Sequence, residues 1–431
     1  GSYLKHSNDI ETATILQPII RKSISMILLN KGDDNLMYAS RPDWWDIGHV
    51  YGARAYITAL TIRALRMYVY LNLKLGLTDH DLNPYLALVR KMQTQLGERL
   101  WDAEAGFLLN MLDSTKVDRH YYAGSLIAAV FDLLEEEKQR TLLETAERKL
   151  LDSQIGTRIV MPADFHRLIN VYKFKGMEAG EPYVYINGGV WPQGIVWYAL
   201  GWLSLGRPDK ARAIIEKYYT LQGIQNSPNG QPSFFEYRNA NAESPHYGEI
   251  DKPTFLWAAG WYLHTLYHLA GLRENEWNIA VASHLPSAWQ QVNYDILIGG
   301  KPVRVSYSGT GKYFKRIEID GKSSSSAVID SGSDQIILER GHPETPYLVK
   351  ANCQIKGVQF SKSNRILRIE ARGMLGQPVN LQVISPLKPQ GLFVNNRTTH
   401  NHFQTHQNDN VWIVIIESSL QELEEIFEIA F

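Results

Sequence analysis

The spacing of apolar residues changes once along this chain, near residue 280, and that change restricts it to two parts of different build. Ahead of it, apolar residues recur at helical intervals over 10–29, 53–75, 82–100, 121–134, 136–151, 194–205, 209–220 and 254–272. Each such segment presents an apolar stripe to a core, as an amphipathic helix does. Beyond Pro286 the alternation is two-fold, over 294–298, 303–307, 314–319, 327–329, 335–338, 347–355, 366–371, 379–384, 411–416 and 426–430. Turns such as Gly299-Gly300 and Asp320-Gly321 separate these runs, as between antiparallel strands. We therefore expect an α+β multidomain chain: a helical domain over 1–280, an antiparallel β-sandwich over 281–431, and a linker at 278–289. The helices pair as hairpins of similar length, which suits a solenoid or a closed toroid; no fixed short period repeats, which disfavours the solenoid.

Bulk properties exclude several functions. With 431 residues and a net charge of −1, the chain is long enough for about two or three domains but has no strongly basic face for nucleic acid or an anionic membrane. The longest apolar runs, such as 257–263, fall well short of the roughly 20 residues that span a bilayer. The single cysteine, Cys353, rules out a disulfide framework and a cysteine-rich metal site. One thiol in a strand-like run reads as a small buried side chain and fits a reducing, cytoplasmic setting. Gly1-Ser2 reads as a cloning remnant, so we expect the native start and any targeting segment to be missing.

His120, His166, His246, His264 and His268 are scattered, and the His264/His268 pair lacks the glutamate of a metalloprotease helix. No phosphate-cradling loop or nucleotide fingerprint occurs, so neither metal nor cofactor is expected. His400-Asn401-His402 with His406 reads as a polar loop.

Eleven tryptophans and 23 tyrosines form the compositional excess, and many fall between residues 40 and 270. The densest site is Arg41-Pro42-Asp43-Trp44-Trp45-Asp46. Carboxylates beside indoles suit sugar chemistry, because pyranose rings stack on indole while acids handle the glycosidic oxygen. The same residues also read as a helix cap (Asp46, before a helix near Tyr51) and as core anchors (Trp44, Trp45). A second loop, Tyr185-Ile186-Asn187-Gly188-Gly189-Val190-Trp191-Pro192-Gln193-Gly194, leads into a helix. A third carries Phe235-Glu236-Tyr237-Arg238 and His246-Tyr247-Gly248-Glu249. Inverting glycoside cleavage needs one protonated carboxyl on the leaving oxygen and one carboxylate activating water, roughly 6.5–9.5 Å apart. Asp43 and Asp46 are too near in sequence to be that pair; one suits the acid, the other its support. Glu236, between two aromatics, is the candidate base, or else a surface glutamate.

These loops together resemble carbohydrate-active enzymes built from an (α/α)6 barrel and a β-sandwich. The cellobiose/chitobiose phosphorylase family and amylo-1,6-glucosidase-type glycoside hydrolases are the most similar in feel. Asp43-Trp44-Trp45-Asp46 is similar to the phosphorylase Asp-Trp-Asn-Asp motif except at Trp45, Gly188-Gly189-Val190-Trp191-Pro192 to the Gly-Gly-x-Trp-Pro loop, and His246-Tyr247-Gly248-Glu249 to the late phosphorylase loop. Leu272-Arg273 into Leu285-Pro286 and Trp289 resembles the barrel-to-sandwich junction. The resemblance implies catalytic roles for Asp43, Asp46, Glu236 and Glu249, and sugar contacts from Trp44, Trp45, Trp191, Gln193, Tyr237, Arg238, His246 and Tyr247.

Two departures shape the expectation. Phe255-Leu256-Trp257 stands where the phosphorylases carry a phosphate-holding Thr-Gly pair, which favours hydrolysis over phosphorolysis. About eight helices precede the strands where a full (α/α)6 barrel has twelve, so the helical part is expected to be incomplete. Apolar helix faces would then need covering by a homo-oligomer or by a preceding segment. The expected function is an inverting glycoside hydrolase on glucosyl oligo- or polysaccharides, with Asp43 as acid and Glu236 as base. The alternatives are an inverting phosphorylase that also binds inorganic phosphate, and a non-catalytic carbohydrate-binding or partner-dependent fragment.

Overall fold

Most long helices fall where the helical period placed them: Ile10–Leu28, Ala55–Lys74, Asn83–Glu98, Glu136–Lys149, Pro192–Ser204, Pro208–Tyr218 and Leu256–Leu269. This computed structural model describes residues 1–41, 43–77, 82–329, 332–399 and 403–431. Pro42 and the His400-Asn401-His402 cluster lie outside the described residues, whereas His406 sits on strand Phe403–Asn408. The chain divides into two units, one of residues 22–65 and 87–269, the other of 1–21, 66–86 and 270–431. Mixed helices and many antiparallel sheets make it an α+β chain. Among the described residues, no helix is long and apolar enough to cross a membrane.

The first unit is built on the helix Pro192–Ser204, in which every residue from Pro192 to Leu203 is buried. Its composition explains this, because a helix apolar all round has to be surrounded by others. Pro192 opens it where an N–H has no helical partner in any case. It packs on Glu136–Lys149, Pro208–Tyr218 and Leu256–Leu269. On the outside, Leu256, Trp257 and Leu263 of the last of these helices are exposed.

Two local expectations fail here for the same reason. Residues 121–134 form no long helix; they form a strand, Tyr121–Tyr122, a 3-10 turn, Ala123–Leu126, and one helical turn, Ile127–Val130. Tyr121–Tyr122 pairs with Val160–Met161, and Gly124 and Ser125 are poor helix formers, so cross-chain pairing outweighs the apolar spacing. Likewise a strand, Gly52–Arg54, precedes the helix that begins at Ala55, paired with Tyr38–Ala39 and Met111–Leu112. Asp46 therefore caps no helix.

The second unit holds most of the strands. Lys301–Gly309 lies between Val292–Ile298 (antiparallel) and Gln335–Arg340 (parallel), with Phe314–Ile319 and Lys322–Ser323 beyond. A four-stranded antiparallel sheet runs Tyr347–Ala351, Pro378–Ser385, Val411–Ser419, Phe403–Asn408. A five-stranded one runs Gln354–Ser361, Ile366–Arg372, Glu424–Ala430, Gly391–Val394, Arg397–Thr399. The last two sheets share one buried cluster: Leu381, Val383 and Ile416 come from one, Leu367, Ile369 and Phe427 from the other.

The run 347–355 is thus two strands in different sheets, and Ile279–Val281, inside the expected linker, pairs with Leu272–Glu274 and Val328–Ile329. Cys353 is buried at the turn between the two strands, and burial pushes its thiol up to about 12.

Candidate active site

Asp43 sits in a bend-rich loop with only 3% of its surface exposed. Neither carboxyl oxygen has a hydrogen-bond partner. The carboxyl lies directly over Gly124, where a Cβ would collide with both oxygens. Burial raises its pKa well above the carboxylate range; the charge of Arg54 opposes this, and Asp118 reinforces it. The nearby backbone N–H groups of Trp44 and Gly124 also oppose the rise without reaching hydrogen-bond geometry. Asp46 is exposed, in a loop that Arg41 closes by donating to the Gly48 carbonyl at 2.8 Å.

A continuous run of aromatic rings, with Trp191 buried at its centre, leads away from this carboxyl. Trp44 meets Trp191 edge-on at 4.7 Å, Trp191 stacks on Tyr237 at 5.8 Å, and Tyr185 touches both at 5.4 and 5.3 Å. Trp45 instead turns inward, 5% exposed and stacked on Tyr122 at 5.3 Å. The Gly-Gly loop is folded tightly beneath Trp191. A Cβ at Gly189 would stand 2.5 Å from the Tyr185 carbonyl, the same oxygen that accepts the Trp191 Nε1 proton at 3.0 Å. Asn187 holds the loop, accepting from the Phe165 N–H at 3.0 Å and donating to the Gly180 carbonyl at 3.1 Å. Gln193 is fully buried, and neither its amide oxygen nor its nitrogen has a partner.

Glu236 precedes the strand Tyr237–Arg238, which pairs with Ile250–Asp251. That pairing brings Lys252 to the Glu236 carboxylate as an ion pair. Tyr237 is held by its partly buried ring, and burial, with the Asp251 carboxylate beside it, raises the pKa of its hydroxyl. Arg238, expected to face sugar, is fully buried instead. Its guanidinium donates to Gly248 O at 2.8 Å, Ser227 Oγ at 2.6 Å and Pro228 O at 3.2 Å, which fixes the third loop from within. Desolvation brings this guanidinium down to about 10. His246 and Glu249 are exposed and pair with each other at 2.6 Å. Tyr247 donates to Asp152 at 2.6 Å. The structure thus joins Trp44, Trp191, Tyr185 and Tyr237 in one aromatic run, with Asp43 next to Trp44 and Glu236 next to Tyr237 in sequence, and with Arg238 as scaffold of the third loop.

Sequence reading missed the polar network behind Asp43. Asp118, His120, Tyr122, Asp164 and the fully buried Arg54 come together there. Their only local signal is the tight Asp118-x-His120-x-Tyr122 alternation, which runs from the end of strand Val117–Asp118 into strand Tyr121–Tyr122.

Residues 10–242, more than half of the chain, match the family model for alkaline and neutral invertase (glycoside hydrolase family 100). The chain belongs to this glycosidase family. The family agrees with the glycoside-hydrolase resemblance read from the loops. Among solved structures, a sialidase matches with a TM-score of 0.53 at 15% identity, over 74% of this chain and 31% of its own. A GH78 family rhamnosidase from Bacillus sp. GL1 matches with a TM-score of 0.49 at 13% identity, over 79% of this chain and 32% of its own. A GH63 mannosylglycerate hydrolase from Thermus thermophilus, in complex with glucose, matches over 50% of this chain and 45% of its own, at 18% identity and a TM-score of 0.34. The chain thus spans about a third of the length of the first two. No curated protein matches it.

Proposed function

We propose that this chain carries the acid–base corner of an inverting glycoside hydrolase for glucosyl oligo- or polysaccharides. Asp43 is the general acid, Glu236 the base that activates water, and the half-buried Trp44 and Tyr237 offer the faces on which the sugar stacks, held in place by Trp191, which was expected to touch sugar but is buried between them. The observation that carries this reading is the Asp43 carboxyl itself. A buried carboxyl without a hydrogen-bond partner holds its proton to higher pH than an ordinary carboxylate, which suits an acid catalyst. Glu236, beside the Lys252 ammonium, suits the opposite role of a charged carboxylate. Asp46, three residues on and exposed, supports Asp43 from the solvent side. The helical unit is read as part of an (α/α)6 toroid and the strand-rich unit as a β-sandwich.

The test is turnover of a panel of glucosyl di- and oligosaccharides by the full chain, with the anomer of the product read by NMR, with and without inorganic phosphate. We expect phosphate-independent release with inversion. Asp43→Asn and Glu236→Gln are each expected to lose about 10²–10⁴-fold in kcat while binding is retained. Full activity in both variants would sink the assignment. Phosphate-dependent release of a sugar phosphate would make the chain a phosphorylase. A partner-dependent, non-catalytic role is favoured by one observation, the exposed Leu256, Trp257 and Leu263 on a single helix. It predicts sugar binding without turnover.

A further inference from the structure

The segment from Asp118 to Gly124 touches both the buried polar network and the Asp43 carboxyl. At its far end Gly124 is the seat of that carboxyl. At its near end Asp118, 4% exposed, has both oxygens occupied. Oδ1 accepts the His120 backbone N–H at 3.0 Å and faces His120 Nδ1 at 2.7 Å. Oδ2 accepts from Asn110 Nδ2 at 3.2 Å and from the Tyr122 hydroxyl at 2.9 Å. Tyr122 in turn stacks on Trp45, two residues from Asp43.

The other nitrogen of His120, Nε2, lies 2.8 Å from Asp164 Oδ1. With a carboxylate at each nitrogen, both have to donate, so the ring is an imidazolium. Asp164, with about a third of its side chain exposed, is the network's opening to solvent. The groups facing His120 are therefore Asp118, Asp164, Tyr122 and, with its hydroxyl 3.4 Å from Nδ1, Tyr172. Those facing Asp43 are Arg54, Asp118 and Tyr56. Arg54 feels both carboxylates.

We propose that Asp118 and His120 are positioning residues that set the protonation of Asp43 through space: Asp118 holds the proton on Asp43, and His120 limits that hold while it carries its own charge. No bond forms or breaks in this device. While His120 is an imidazolium, it offsets the Asp118 carboxylate, and Asp43 feels Arg54 with little counter-charge. When His120 loses its proton, the Asp118 charge is no longer offset, and the proton on Asp43 is held more tightly. The acid thus stays loaded as the pH climbs past the titration of His120, whose pKa is raised although burial works against it, because Asp118 and Asp164 favour the charged ring. The inference rests on the reading of Asp43 as the acid, but its physical content is testable without activity.

The experiment follows the Asp43 side chain by NMR in the full chain labelled at aspartate Cγ, the signal being assigned by its loss in Asp43→Asn. Its titration is compared between the wild type, Asp118→Asn and His120→Gln. Asp118→Asn should lower the Asp43 midpoint by about one pH unit, as expected for a single neighbouring charge in a partly dry site, and His120→Gln, which acts through Asp118, should raise it by less. A merely structural role moves both in the same direction or neither, and either result overturns the proposal. Should a buried variant fail to fold, Asp164→Asn at the solvent-facing end weakens the imidazolium and should raise the midpoint by less; no shift overturns the proposal there too. Opposite shifts with full activity in Asp43→Asn would leave the coupling standing and remove the acid assignment. An inactive Asp43→Asn with an unmoved midpoint would do the reverse.

Discussion

Asp43 and Gly124 show how one residue's environment decides both stability and chemistry. The carboxyl is buried without hydrogen bonds, so the fold favours its protonated form. A raised folded pKa means that this residue is least costly at pH values below the ordinary carboxylate range. Its cost grows as the pH rises from there through the folded value, because only the unfolded chain ionises freely. Asp43→Asn is therefore expected to raise stability at neutral pH by about 1 kcal/mol or more, the scale of an uncompensated buried polar group, while it removes activity. Denaturant midpoints at pH 4 and pH 8 check this, and an equal effect at both would contradict it. Gly124→Ala places a methyl where the carboxyl oxygens lie. It should cost about 1–3 kcal/mol as overpacking and lower kcat in the same preparation. Asp43, Trp44, Trp191 and Glu236 stand out in the sequence as candidates because acids beside large aromatic side chains are unusual residue types in unusual company. Arg54, Asp118 and His120 do not, because Arg54 lies far from the other two in sequence, and an aspartate two residues from a histidine is too common a pattern to mark a site until the chain folds.

At the scale of elements, long segments announced themselves and short ones did not. The period of Pro208–Tyr218 or Ile366–Arg372 repeats often enough to be read. Hairpins of two-residue strands, such as Trp101–Asp102 with Phe107–Leu108, contain no full period at all. The strand Leu272–Glu274 also shows how a terminal helix is tied down. Glu274 pairs with Lys5 at 2.8 Å, faces His6 at 3.3 Å and accepts from Ser2 at 2.9 Å. Burial would raise its pKa, yet the contacts with His6 and Lys5 outweigh burial and hold it well below the usual range. A lowered folded pKa contributes stability above the ordinary glutamate range, which is lost as the pH falls through the folded value. Glu274→Gln should cost about 3 kcal/mol at pH 7, as for a buried pair that loses one partner, and progressively less as the pH falls below the ordinary glutamate range toward the folded value. Hydrogen exchange at residues 2–7 would report the release of that helix.

At the scale of the molecule, the strand-rich unit draws on distant sequence. Residues 1–21 and 66–86 belong with 270–431, through contacts such as Arg66 with Glu276 at 3.5 Å and Tyr70 against Trp277. A fragment of residues 270–431 alone should therefore unfold at a Tm several degrees below that of the same unit in the intact chain, by scanning calorimetry. Equal values would show that the N-terminal stretches add nothing. By itself, the sequence determined the change from helices to strands, the location of the aromatic loops and the carboxylates they carry, because period and residue type are local properties. Only the tertiary structure decided that Arg238 is scaffold, that Trp45 turns inward, and that Asp118 and His120 stand behind Asp43. Burial and charge pairing depend on which segments meet, and no spacing along the chain records that.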